Sequence, residues 1–142
     1  MNDSSEAGRE IEPMLTFADK ISTVLSGDVR GITILDQPDP LTFSSLDRAV
    51  VVLHAPWSGP SVMVVKGYTA AYRKFSEHAS HPVDFYILNF DSLSESYWTA
   101  LPGRFGGNGE TFLVNAGKIV CNLPHFTQTF SDQLSDAFPP TR

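Results

Sequence analysis

The chain has 142 residues, a length that suits one domain built on one hydrophobic core. Hydrophobic residues make up 42% and charged residues 18%, which excludes a disordered or low-complexity chain. The formal net charge of −6 gives no basic footprint for nucleic acid or for an anionic membrane, so neither is expected as a partner.

Residues 1–12 are polar, carry Asp3, Glu6 and Glu10, and lack the charged-then-apolar layout of a signal peptide. They read as a flexible tail, with residues 13–142 as a single domain. From Pro13, the apolar residues Met14, Leu15, Phe17, Ala18, Ile21, Val24 and Leu25 recur with a helical period, and Gly27 is a stop signal. Gly31–Leu35 predicts a short strand, Asp36–Pro40 a loop, and Leu41–Leu46 a short helical turn. Ala49–His54 is a continuous, β-branched apolar run, the pattern of a central strand buried on both faces. Pro56–Pro60 breaks it, and a helix is predicted over Ser61–Ala79. Val64, Val65, Tyr68, Ala71, Tyr72 and Phe75 form the core face of that helix. Gly67 inside it implies a kink or a close contact. Val83–Phe90 predicts the next strand, and Ser92–Leu101 a helix capped by Ser92 or Ser94. Gly103–Gly109 is a glycine-rich loop. Thr111–Val114 and Lys118–Leu123 form a hairpin through Asn115-Ala116-Gly117, and a last helix covers Thr127–Phe138. Strands interleaved with helices, followed by a hairpin and a helix, imply an α/β architecture with a mixed sheet covered on both faces.

One segment carries chemistry. In Val50–Ser61, a buried strand leads through Ala55-Pro56-Trp57-Ser58-Gly59-Pro60-Ser61 into the long helix. This stretch resembles the thioredoxin family, in which Trp-Cys-Gly-Pro-Cys opens the corresponding helix, and the resemblance extends over about residues 31–138. It implies a thioredoxin-like fold, with Ser58 and Ser61 at the two cysteine positions. Dithiol exchange needs an attacking thiolate, whose pKa the helix N-terminus lowers, and a second thiol one turn on. Serine hydroxyls stay un-ionised near neutrality and form no disulfide, so no dithiol oxidoreductase activity is expected of this sequence. The single cysteine, Cys121, falls in the last strand and reads as a small buried apolar residue.

The resemblance also implies a buried acidic residue where this chain has Val52, and a cis-proline before the hairpin, where it has Gly107-Asn108-Gly109-Glu110-Thr111. Gly109 and Glu110 share that position, and the loop is expected to be rebuilt around glycine. Departures at Val52, Ser58, Ser61 and the proline fit natural loss of redox function better than engineering.

Other candidates are weaker. His54 with Ser58 suggests a serine hydrolase, but no acid is placed to orient the imidazole. Ser58 and Ser61 read as helix caps. His78, His81 and His125 do not have the spacing of a metal site, and Gly106–Gly109 is not a phosphate loop. No metal and no cofactor are expected.

Trp57 is expected on the surface as a binding anchor. The leading expectation is therefore a redox-inactive accessory module that binds a protein or an extended peptide. Its surface would comprise Trp57, Ser58, Gly59, Pro60, Ser61, Gly109 and Glu110. The alternative is a thiol-disulfide oxidoreductase whose two cysteines have been replaced by serine. With one cysteine and no apolar run approaching the roughly 20 residues of a membrane helix, the expected location is the cytoplasm.

Overall fold

The computed structural model describes residues 15–38, 41–101 and 105–140. The expected tail, residues 1–12, lies outside them, as do Pro13 and Met14 at the start of the first predicted helix. That helix, α1, spans Phe17–Val24. A capping box starts it: Asp19 N–H donates to Thr16 Oγ1 at 3.0 Å, and Thr16 N–H donates to the Asp19 carboxylate at 3.1 Å. Phe17 and Ile21, one turn apart, are its buried residues.

The sheet contains β1 (Ile32–Leu35), β2 (Arg48–His54), β3 (Asp84–Asn89), β4 (Thr111–Asn115) and β5 (Lys118–Leu123), in the order β1-β3-β2-β4-β5. β3 runs parallel to both β1 and β2, while β4 is antiparallel to β2 and to β5. β2 is therefore central, which is why Ala49–His54 is buried throughout. Its alternate residues supply two cores. Val50 and Val52 face α1, α2 (Gly59–Ser76) and α4 (Phe130–Ala137), together with Phe85, Ile87 and Leu113. Ala49, Val51 and Leu53 face the other side with Leu88, Phe112 and Val114, under α3 (Glu95–Ala100) and a 3-10 turn at Phe43–Ser45. Fully burying each valine or leucine contributes about 1.5–3 kcal/mol.

The boundaries differ from the sequence reading where side chains satisfy the backbone differently. α2 starts at Gly59, because Ser58 is the N-cap and Pro60, in the first turn, lacks the N–H that would otherwise go unpaired there. It ends at Ser76, ahead of His81-Pro82. The segment 92–101 divides into a 3-10 turn, Phe90–Ser92, and α3, with Ser94 as N-cap but its hydroxyl bonded to Ser96 at 2.8 Å. α4 starts three residues late, at Phe130, since Thr127 Oγ1 accepts from Thr129 N–H at 3.2 Å and holds a turn there. Gly67 meets Phe126: a Cβ there would lie 2.9 Å from the ring. The absent side chain lets Tyr68 stack between Phe126 and Phe130, with centroids 5.5 and 3.8 Å away. No helix among the described residues is long and apolar enough to cross a membrane.

Candidate functional site

The end of β2, the start of α2 and the loop 105–110 meet at one place. Ser58 caps α2, but weakly: Ser61 N–H donates to its hydroxyl at 3.4 Å. Ser61 was expected as a cap and is not one. Its hydroxyl turns back to β2, where it accepts from Ala55 N–H at 2.9 Å and lies 2.7 Å from His54 Nδ1. The hydroxyl can accept twice and donate once, so the direction of the Ser61–His54 bond follows the imidazole tautomer: the O–H donates to Nδ1 when Nε2 carries the proton, and accepts when Nδ1 carries it. Burial pushes the His54 pKa down to about 4, partly opposed by the charge of Asp91. The imidazole is thus neutral near pH 7.

This serine–histidine contact differs from the one considered in the sequence, which paired His54 with Ser58. In the tautomer protonated at Nε2 it has the hydrogen-bond direction of a nucleophile and its base. However, Ser61 is fully buried, and the Phe17 ring of α1 lies 5.9 Å from the imidazole. A buried hydroxyl that already accepts a backbone hydrogen bond has no room for a substrate. The contact therefore ties β2 to α2. Val52, two residues before His54 on the same face of β2, is wholly buried among apolar side chains.

Gly109 closes the site from the loop that leads into β4. Its φ is +80°, and an added Cβ would lie 2.8 Å from Val64 and 3.1 Å from Ser61 Cα. A residue with a side chain fails there on both conformation and space. Glu110 follows, 2% exposed. One of its oxygens accepts from Gly106 N–H at 2.7 Å, while Oε1 has no partner among the described residues.

Trp57 is the exposed element, at 64%. Its Nε1–H donates to both Asp91 oxygens, at 3.0 and 3.1 Å. Phe90 meets it edge to face at 6.2 Å. Its six-membered ring lies over Gly107, where a Cβ would come within 2.6 Å of Cη2. The indole is held on three sides and open on the rest.

Four of the seven residues expected to form a binding surface are buried. Ser58 and Ser61 point into the β2–α2 junction, Gly109 packs on Val64, and Glu110 turns into the end of the sheet. Trp57, Gly59 and Pro60 are exposed, and Met63, 54% exposed and one turn after Pro60, joins them. Met63 and the tether Asp91 were missed. The i, i+3 spacing of Pro60 and Met63 was a usable signal, whereas nothing in the sequence pairs Asp91 with Trp57. Cys121 is half-buried rather than fully buried; burial and Asp136 raise its pKa, and its Sγ lies 3.5 Å from Gln133 Oε1. Among the described residues no three potential ligands cluster to hold a metal.

No protein-family model matches the chain, and no curated protein matches it. Solved structures do. A chain from work on thiol resolution in yeast mitochondrial 1-Cys peroxiredoxin, through the glutathione and thioredoxin systems, superposes with a TM-score of 0.59 at 17% identity, covering 76% of this chain and 97% of that one. Mitochondrial thioredoxin 3 of Saccharomyces cerevisiae, in its oxidized form, gives 0.58 at 17% identity over 74% and 94%. Thioredoxin f2 of Chlamydomonas reinhardtii gives 0.54 at 17% identity over 78% and 99%. The protein has a thioredoxin-like α/β fold: a five-stranded mixed sheet with helices on both faces.

Proposed function

We propose that the protein is a redox-inactive, thioredoxin-like module that binds a protein or an extended peptide through the surface centred on Trp57. The observation that carries this reading is the exposure of an indole held by Asp91, Phe90 and Gly107. An exposed aromatic that is already fixed loses little side-chain freedom on binding, which is the property of an interface anchor. Pro60 and Met63 extend its apolar surface. The serines support the negative half of the reading. Ser58 caps a helix, Ser61 bonds to backbone and imidazole, and neither supplies a thiol.

The test is selection of displayed extended peptides on the native protein, followed by affinity measurement on Trp57→Ala. Loss of an anchor contributing about 2 kcal/mol weakens binding roughly thirty-fold. Circular dichroism confirms that the variant is folded. Selected peptides that bind Trp57→Ala as well as native protein, or a selection that yields no peptide, overturn the reading.

A further inference from the structure

Next to the seat of Trp57, the loop 105–110 borders an open depression of about 440 Å³ whose lining includes Phe105, Asn108, Glu110, Asn122 and His125. Glu110 occupies it in an unusual state. Its backbone carbonyl accepts from Leu53 N–H at 2.8 Å, extending the β2–β4 ladder by one residue and fixing the direction of the side chain. One carboxyl oxygen is bound to Gly106 N–H. The other, Oε1, is buried with no hydrogen-bond partner among the described residues. Buried polar groups are rarely left this way, and one in the wall of a depression points to a group that arrives from outside.

The lining states what that group is. Asn108 and Asn122 bring side-chain amides, each with an acceptor oxygen, His125 an imidazole, Glu110 a carboxyl, and Phe105 an aromatic ring. No lysine or arginine is among the lining residues, and the chain carries 16 acidic against 10 basic residues. Acceptors beside an aromatic ring suit a cation. We propose that this depression receives the basic side chain, arginine or lysine, of the segment that docks on Trp57. The source of the cation rests on the function proposed above; the cation site itself does not. Gly107 lies under the indole while its neighbours Gly106 and Asn108 line the depression, so one extended segment reaches both.

The experiment is an NMR titration in the full chain that follows the side-chain Cδ of residue 110, the carboxyl carbon in native protein and the amide carbon in Glu110→Gln. The probes are Nα-acetyl-arginine amide and its uncharged analogue Nα-acetyl-citrulline amide. The expected result is a saturable shift with the arginine probe, roughly tenfold weaker binding of citrulline, and loss of the preference in Glu110→Gln. Equal responses to both probes, an arginine preference that survives Glu110→Gln, or no saturable response in the native protein overturns the inference. The titration reads Glu110 with a single-residue probe, whereas the peptide affinities of native protein and Trp57→Ala read the indole. A failure of the Trp57 reading therefore shows separately.

Discussion

The buried imidazole makes stability fall as the pH drops through a defined window. His54 has a pKa of about 4 in the folded protein against 6.5 for the free side chain. Above about 6.5 it is neutral in both states, and its contribution to stability is complete. As the pH falls below that, the unfolded chain takes up the proton first and the folded state loses ground. Below about 4 both states are protonated and this group causes no further loss. The gap amounts to about 3 kcal/mol, a large share of the stability of a domain this size.

The assay is urea unfolding at several pH values between 7 and 4, on native protein and on His54→Asn. Asparagine keeps an acceptor near the position of Nδ1 and does not titrate. Native protein is expected to lose stability by up to about 1.4 kcal/mol per pH unit in the window, and the variant to lose most of that slope. Asp28 acts elsewhere: hydrogen bonds from Arg30 hold its carboxyl well below the usual carboxylate range. Its contribution is present above the ordinary aspartate pKa and is lost only at more acid pH. Parallel pH curves for the two proteins, or an imidazole titrating near 6.5 by NMR, would refute the reasoning.

The same junction yields four more expectations. Ser61→Ala strands the Ala55 N–H and His54 Nδ1 in the core and costs roughly 2–3 kcal/mol in chemical denaturation. Ser58→Ala removes only a long cap and costs about 0.5–1 kcal/mol, so equal losses would contradict the assigned roles. Gly109→Pro, which restores the residue type that the resemblance implies, destabilises rather than rescues. Proline fixes φ near −65°, whereas this position holds +80°, and its ring would strike Val64; a rise in melting temperature would show that the loop is not built as described. The double substitution Ser58→Cys, Ser61→Cys gives little disulfide reductase turnover, because Val52 supplies no carboxyl for proton transfer beneath the site. Turnover comparable to a thioredoxin would instead support an oxidoreductase whose cysteines were exchanged for serine.

What was legible in the sequence was whatever depends on neighbours along the chain. The apolar run Ala49–His54 announced a strand buried on both faces, and Asn115-Ala116-Gly117 announced a tight turn, closed with positive φ at Ala116 and Gly117. The interruption at Pro56–Pro60 marked the entry to α2, and local capping chemistry moved its first residue only by two positions. The site was legible in composition but not in partnership. Ser61 reads as a cap because serine near a helix start usually is one. It becomes a tie between β2 and α2 because Ala55 N–H, at the point where β2 gives way to the turn, finds no strand partner and needs an acceptor. His54 reads as an isolated histidine until the fold brings Ser61 against one side and Phe17 against the other. Likewise Glu110 read as a loop residue open to a partner. It is buried because the sheet ladder runs one residue further than the apolar pattern of Thr111–Val114 reveals, and that extra rung places its carboxyl at the floor of a depression instead of on the rim beside Trp57.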